Sequence, residues 1–150
     1  MPRLTARVTA QGILVDGLFV NASLPRLTSL KQDGNSIPDM QEIKGLIDTG
    51  ATTSCLDTGV IARLGLSPTG FVGVHTSFSG DQPEIVGLFD VSIWLGSPKV
   101  HALAMTLPVL RADLSKQTVQ CLIGMDVLRK CILHIDGPKE TADLIYPVDG

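Results

Sequence analysis

The stretch Gly45-Leu46-Ile47-Asp48-Thr49-Gly50-Ala51 carries the sharpest chemical signal in this chain of 150 residues. It predicts an apolar strand that ends in a carboxylate, followed by a hydroxyl residue, a glycine and a small residue. Such a segment presents Asp48 on a tight turn at the end of a buried strand. Thr49 can hydrogen-bond and fix the turn, Gly50 lets another backbone approach closely, and Ala51 leaves room beside the carboxylate.

The composition around this stretch is that of a β-protein. Only three of the fifteen acidic residues are Glu, while Gly and Pro number 15 and 9, and Val, Ile and Thr are plentiful. Good helix formers are therefore scarce and turn formers frequent. Hydrophobic residues make up 44% and charged residues 18%, which is too apolar for a disordered chain. The length fits one domain spanning residues 1–150.

Charge and cysteine usage exclude several classes of function. The net charge of −3 without a basic cluster argues against a nucleic-acid partner. No apolar run approaches the roughly 20 residues of a membrane-spanning helix, and no secretory signal is visible, so a cytoplasmic location and no membrane partner are expected. No metal or other cofactor is predicted, because the cysteines and histidines lack ligand spacing. These residues are Cys55, Cys121, Cys131, His75, His101 and His134.

The pattern of apolar and turn-forming residues along the chain predicts many short strands. Asp16-Gly17 predicts a hairpin turn between strands at 13–15 and 18–20, and residues 25–40 predict a surface loop. The final segment, 143–148, predicts an edge strand because it contains Pro147. The chain is therefore predicted to be an all-β barrel or sandwich with two short helices, at 57–64 and 126–130. The other predicted strands span 4–9, 42–47, 71–74, 85–95, 100–109, 119–123 and 131–135.

A second Asp-Thr-Gly triplet, Asp57-Thr58-Gly59, competes with the first. No strand is predicted before it, and Asp57 is a good N-cap for the helix at 57–64. Val60, which follows the triplet, is also bulkier than Ala51. Asp48 is therefore preferred as the chemically active carboxylate. Asp126 is likewise predicted to be the N-cap of the second short helix, with an acidic residue that supports the site as the alternative.

A second motif lies late in the chain and has the sequence Leu122-Ile123-Gly124-Met125-Asp126-Val127-Leu128. We call it the late motif. With both, the sequence resembles the retropepsin-like aspartic proteases, the single-domain type known from retroviruses and cellular genomes. A third feature of the resemblance is the predicted hairpin around Phe78-Ser79-Gly80-Asp81, which lies at the family's flap position. The resemblance covers about residues 43–135. It implies a closed-barrel acid-protease fold with one lobe per chain.

The resemblance implies an aspartic endopeptidase that is active as a homodimer on peptide or protein substrates. The chemistry needs two carboxylates that share one proton, because like charges about 3 Å apart do not both ionise. With one such triplet per chain, the second Asp48 comes from a twofold-related copy, and Thr49 and Gly50 hold the turn. A flap hairpin around 72–89 covers the substrate. Substrate-binding roles fall to Ala51, Phe78, Ser79 and Gly80.

The sequence departs from the viral pattern at two positions. Viral members carry an acidic residue after Asp-Thr-Gly-Ala and an Arg after the late Gly, and these two pair near the dimer interface. Thr52 and Met125 stand at those positions here. Both members of the charged pair are absent, so neither leaves an unpaired charge behind. The alternative that stays open is a catalytically inactive retropepsin-like module for dimerisation or peptide binding.

Overall fold

The computed structural model describes residues 1–75, 82–96 and 103–147. Within these ranges the chain forms ten strands and three short helices. They run in the order β1 (Arg3–Thr9), β2 (Gly12–Ala22), α1 (Leu24–Gln32), β3 (Gln41–Ile47), β4 (Cys55–Asp57), α2 (Thr58–Arg63), β5 (Gly70–Val74), β6 (Glu84–Leu95), β7 (Leu103–Ala112), β8 (Cys121–Ile123), α3 (Met125–Leu128), β9 (Ile132–Asp136) and β10 (Thr141–Ile145).

Six of the described strands close into a barrel. Going round it, β2 pairs with β3, followed by β8, β4, β7 and β6, and β6 pairs back onto β2. The β3–β8 and β4–β7 pairs are parallel and the others are antiparallel. Strand β5 extends the sheet from β6, and β1, β10 and β9 extend it from β2. The prediction of an all-β, closed-barrel fold is confirmed.

Strand β2 closes the ring because it changes partner along its length. Its first residues pair with β1 and its last residues with β6, while β3 lies along its other edge. The register against β3 shifts between Val15 and Leu18. A bulge at this point bends the strand and increases its twist, which lets one strand serve both the barrel and the extension.

The core fills the barrel and continues under the extension. Its members are apolar residues that alternate along the strands, as a pleat with one buried face requires, together with one face of α2. The predicted core residue Phe89 is buried, and Trp94 is half-buried, with its Nε1 donating to Ser92 Oγ at 3.1 Å. The largest fully buried side chains are Leu18, Leu56, Leu95, Ile123, Leu144, Val15, Val20, Val60, Val91, Val109 and Val127.

The hairpin predicted at Asp16-Gly17 is wrong. Strand β2 continues through these residues without a break, and the turn between β1 and β2 lies at 10–11. Gly17 has a φ of +77°, so this Asp-Gly pair supplies the left-handed residue of a bulge instead of a two-residue turn. Its carbonyl also accepts a hydrogen bond from Gly96 N at 3.0 Å, which ties the bulge to the end of β6.

The loop predicted over 25–40 is wrong in its first part, where α1 forms. Ser23 is the N-cap, its side chain accepting a hydrogen bond from Arg26 N at 3.3 Å, and Pro25 lies in the first turn, where no amide donor is needed. No residue of α1 is buried. The chain thus has a third helix where two were predicted, and it is held by local caps rather than by an apolar face.

Two predictions about strand position are also wrong. The C-terminal strand β10 is not an edge strand, because it lies between β1 and β9, and Pro147 falls beyond its end. A strand does precede the second Asp-Thr-Gly, since β4 ends at Asp57. Both features come from pairing with segments distant in sequence, which local composition does not indicate.

Replacing Gly17 by Ala is expected to lower the free energy of unfolding by about 1–2 kcal/mol, because a side chain is strained at this φ. Gly17→Asn should cost less, since Asn tolerates the left-handed region. Gly70→Ala is the matched control, because a Cβ there meets no atom within 4 Å. Urea unfolding followed by circular dichroism measures all three. Equal stability of Gly17→Ala and Gly70→Ala would contradict the role of the bulge.

Candidate active site

The Asp48 turn lies at the end of β3, as predicted. Asp48 N donates to Ile123 O at 2.9 Å, which continues the pairing with β8 by one residue. The Asp48 carboxylate accepts a hydrogen bond from Gly50 N at 3.1 Å, and Ala51 N donates to Asp48 O at 3.2 Å. Asp48 is half-buried, whereas Thr49 and Gly50 are exposed. The carboxylate is thus oriented by the Gly50 amide, and the backbone of the turn is held by two further hydrogen bonds, while Thr49 and Gly50 face outward.

The two sequence motifs lie side by side because β3 and β8 pair in parallel. Gly45 aligns with Cys121, Leu46 with Leu122 and Ile47 with Ile123. A side chain at Gly45 would collide with the buried Leu18 and Ile123. The glycine therefore lets the core fill the space next to the strand that delivers Asp48.

Gly124 of the late motif packs directly against the backbone of the loop that follows the Asp48 turn. A Cβ at this position would lie 2.9 Å from Ala51 O, 3.0 Å from Thr53 C and 3.1 Å from Ser54 N. These are backbone atoms, so the close approach is possible only for glycine. Met125 N donates to Ala51 O at 2.8 Å. The glycine of the late motif is thus required by contact with the loop after Asp48.

A buried polar network holds the same loop. Ser54 is completely buried, and its Oγ donates to Asp126 Oδ1 at 2.6 Å while its N donates to Asp126 Oδ2 at 2.9 Å. Gly124 N donates to Ser54 Oγ at 2.9 Å. The predicted N-cap role of Asp126 is wrong, because α3 is capped by Gly124 and Asp126 lies within its first turn. Its carboxylate instead anchors a loop 72 residues earlier in the chain.

Asp57 has the structural role that the sequence predicted. It is the N-cap of α2, with Oδ2 accepting from Gly59 N at 3.1 Å. Its other oxygen accepts from Leu114 N at 2.8 Å. Both carboxylate oxygens are therefore engaged by backbone amides, and Gly65, with a φ of +64°, lies just beyond the end of the helix.

An apolar row crosses four strands of the sheet close to the Asp48 turn. Cross-strand registers align Leu46 with Leu122, Leu122 with Cys55, and Cys55 with Leu110, and all four are half-buried. Asp48 follows Leu46 by two residues. Its carboxylate is close enough to Cys55, a member of the row, to raise the pKa of that thiol. Sequence reasoning missed this row, because it is assembled from four different strands.

A cavity of about 540 Å³ lies over part of this row. Its floor includes Cys55 and Leu110, and its roof is the inner face of the β5–β6 hairpin, with Val74 and Val86. The β5–β6 hairpin thus lines one side of a cavity whose other side includes two residues of the apolar row. The cavity is also bordered by Thr58, Glu84, Arg111, Ala112 and Asp113.

The pKa values of the three cysteine thiols are raised by their surroundings. Burial raises the pKa of Cys55, and the nearby carboxylates of Asp48 and Asp126 raise it further. Burial raises the pKa of Cys131 to about 11 without a contribution from either carboxylate, and it raises the pKa of Cys121 to about 12. The thiol of Cys55 therefore lies within electrostatic reach of Asp48.

Three predicted substrate-binding residues, Phe78, Ser79 and Gly80, lie outside the described residues, as does His101. The hairpin predicted around 72–89 is described only in its two strands, β5 and β6. Across residues 1–75, 82–96 and 103–147, no group of three or more candidate ligands is placed to hold a metal ion. In the same ranges, no helix is long and apolar enough to cross a membrane.

Comparison with known proteins agrees with this fold. The family described as aspartyl protease matches residues 32–127. The crystal structure of a retropepsin-like aspartic protease from Rickettsia conorii superposes with a TM-score of 0.59 at 18% identity, covering 97% of this chain and 91% of that one. A retroviral protease-like domain of Ddi1 from Leishmania major gives a TM-score of 0.40 at 15% identity, covering 71% and 86%. No curated protein matches the chain.

The fold and the two motifs thus define a retropepsin-like acid-protease lobe. The chain belongs to the aspartyl protease family. The resemblance noted from the sequence is confirmed at the level of family and fold.

Replacing Asp126 by Ala is expected to destabilise the protein by about 2–3 kcal/mol, because it leaves the buried Ser54 hydroxyl and amide without their acceptor. Asp113→Ala is the matched control, since Asp113 is exposed and bonds only with Ser115. Urea unfolding should separate the two variants clearly, with Asp113→Ala indistinguishable from the parent. Similar stabilities for the two variants would contradict the anchoring role of Asp126.

Replacing Asp48 by Asn is expected to lower the pKa of Cys55, because a carboxylate that disfavours the thiolate is removed. Alkylation by iodoacetamide near pH 8 should then become roughly two- to fivefold faster at Cys55, since the thiolate is the reactive form. Cys131 serves as an internal control whose rate stays unchanged. Peptide mapping by mass spectrometry follows both sites. An unchanged Cys55 rate would place Asp48 farther away than described.

Proposed function

We propose that this chain is an aspartic endopeptidase that acts as a homodimer, with residues 1–150 forming its catalytic domain. The observation that carries the proposal is the Asp48 turn, which lies at the end of a parallel-paired strand and close to Cys55, a residue that lines the cavity. Membership of the aspartyl protease family supports the same reaction class. Asp48, Thr49 and Gly50 are the proposed catalytic segment.

The reaction needs a carboxylate from each of two chains. Two Asp48 side chains brought together share one proton, because both cannot be ionised at close range. The charged member takes a proton from a water molecule, and the protonated member donates to the carbonyl oxygen of the scissile bond. Gly50 N fixes the orientation of each carboxylate. The exposed position of Thr49 suits a contact across the twofold axis.

The substrate is proposed to be a peptide segment bound in extended form. It would lie between the apolar row and the inner face of the β5–β6 hairpin, with Ala51 beside the reacting bond. Extended peptides bind through main-chain hydrogen bonds, and pockets for alternate side chains provide specificity. The leucines and Cys55 of the row favour apolar side chains near the cut. Closure of the hairpin at 72–89 would exclude water from the reaction, with Phe78, Ser79 and Gly80 as the proposed contacts at its tip.

The alternative function is a binding module that has lost activity. It is favoured by Thr52 and Met125, which replace the charged pair of viral members. In this chain the loop after the Asp48 turn is held by Ser54 and Asp126. The Asp48 turn therefore keeps a rigid support without the charged pair, and this observation favours the enzyme.

Replacing Asp48 by Asn is expected to abolish cleavage, with a loss of at least about 1,000-fold, because the acid and base are both removed. A diverse peptide mixture incubated from pH 4 to 7 and read by mass spectrometry gives the cuts. Asp57→Asn is the matched control: it alters the other Asp-Thr-Gly and Asn is also a good N-cap. It keeps one of the two oxygens that accept from backbone amides, so activity should persist in protein that circular dichroism shows to be folded.

Cuts that survive in Asp48→Asn would refute the assignment of Asp48. If folded parent protein makes no cuts at any pH while a tight peptide ligand is found, the binding module is the better account. Loss of activity in Asp57→Asn but not in Asp48→Asn would show that the second triplet is the active one.

A further inference from the structure

A groove lies on the face of the β5–β6 hairpin that points away from the cavity. Phe71 aligns with Gly87, and the next residue, Val72, aligns with Val86, which lines the cavity. Successive residues of a strand point to opposite faces, so Phe71 and Gly87 face away from the cavity. The groove has a volume of about 330 Å³ and lies between these two residues and helix α2. It is therefore separate from the candidate active site.

The groove has a buried aromatic floor and an exposed aromatic wall. Phe89 forms the floor and is buried, whereas Phe71 is 67% exposed. Gly87 has no side chain to fill the groove, and a Cβ there would lie 2.8 Å from Phe89 Cε2. Ile85, on the same face of the hairpin as Phe71, is 65% exposed. Exposed apolar surface of this kind beside polar residues is typical of an interaction site.

Helix α2 forms the opposite wall and is fixed to the barrel. Thr58, Ile61 and Ala62 line the groove, and their spacing of three and four residues places them on one face of the helix. Ile61 is also buried in the core, and Thr58 Oγ1 donates to Ala112 O at 3.2 Å. A ligand in the groove would therefore lie between a fixed helix and the hairpin.

The groove meets the cavity where β6 and β7 separate. The described pairing between these two strands ends at Leu88 and Leu110, and β7 then continues along β4 as far as Ala112. Thr58 and Arg111 lie beside this point, and both line the groove as well as the cavity. A peptide bound in the cavity can therefore continue into the groove past these two residues.

The charge of the groove differs from that of the cavity. Arg111 is exposed and carries the charge among the described residues that line the groove. Within the described part of the chain, the ion pairs involve Arg3 and Arg7, so the Arg111 guanidinium is available to a ligand. Glu84 and Asp113 line the cavity but not the groove. An acidic residue of a ligand is therefore better placed in the groove than in the cavity.

We propose that the groove binds the part of a peptide substrate that extends beyond the cavity. A large apolar side chain lies against Phe89, and an acidic residue lies beside Arg111. The proposal rests on the proposed function, because it defines the substrate class of the same site. Such a substrate is held at two connected places, so the second contact adds affinity without any change at the scissile bond.

Binding is tested by NMR titration of the ¹⁵N-labelled Asp48→Asn chain, a readout that needs no cleavage. The probe is acetyl-Leu-Phe-Asp-Asp-amide, and acetyl-Leu-Phe-Lys-Lys-amide is its matched control. The acidic probe is expected to bind at least about fivefold tighter, because its carboxylates form charge-assisted hydrogen bonds with Arg111. It should shift the amide signals of Ala62, Phe71 and Gly87.

Two further variants identify the residue that reads the charge of the probe. Arg111→Gln should remove the preference for the acidic probe. Arg63→Gln should keep it, because Arg63 is an exposed residue of the same helix that lines neither the groove nor the cavity. Equal affinity for the two probes, no binding at millimolar concentration, or shifts confined to Val74 and Leu110 in the cavity would overturn the proposal.

Cleavage by the parent chain tests whether the bound segment belongs to the substrate. Peptides that are cut from the diverse mixture are synthesised with and without an apolar–acidic pair outside the cut. The pair is expected to raise kcat/KM at least about fivefold, through KM, because its contacts are equal in the ground state and the transition state. Ala62→Trp, which fills the groove from an exposed helix position, should abolish this advantage, and Arg63→Gln should keep it.

The two readouts separate the groove from the chemistry. Binding of the acidic probe by a chain that cuts no peptide would refute the proposed function and uphold the groove as a peptide site. Cleavage that is indifferent to the apolar–acidic pair, or an advantage that persists in Ala62→Trp, would overturn the role of the groove and leave the protease intact.

Discussion

The structure depends on one close approach, that of Gly124 to the loop after the Asp48 turn. A Cβ on Gly124 would lie 2.9 Å from Ala51 O, so any larger residue would push the late motif away from the turn. The approach allows the Met125 N to Ala51 O hydrogen bond, and it seats Asp126 against Ser54. The position of Asp48 is therefore set by backbone contact between two strand ends rather than by a flexible loop.

The fold could be predicted where its signals are local. β3 and its carboxylate turn follow from seven consecutive residues, and α2 follows from the cap at Asp57 and the glycine after its end. Asp16-Gly17 failed because the same dipeptide suits a two-residue turn and a left-handed bulge. α1 was missed because no residue of it is buried, so it leaves no apolar periodicity. β4 was missed because three residues form a strand only through their distant partners.

The site could be predicted only in part. The Asp48 turn is formed by consecutive residues. The residues that hold the following loop are not, since Ser54 and Asp126 are 72 residues apart in the sequence. An Asp two residues after a Gly at the start of a helix has the same local pattern whether it caps that helix or anchors another loop. The apolar row of the cleft comes from the register of four strands, and no single segment contains it. These features depend on closure of the barrel.

The central claim is that each active site takes one Asp48 from each of two chains. Mixing the parent with Asp48→Asn, after exchange of subunits, tests it most directly by cleavage of a peptide substrate. An equal mixture should retain about one quarter of the activity of the parent at the same total concentration, because only parent–parent dimers are active. Retention of about one half would mean that each chain carries a complete site, and would contradict the account.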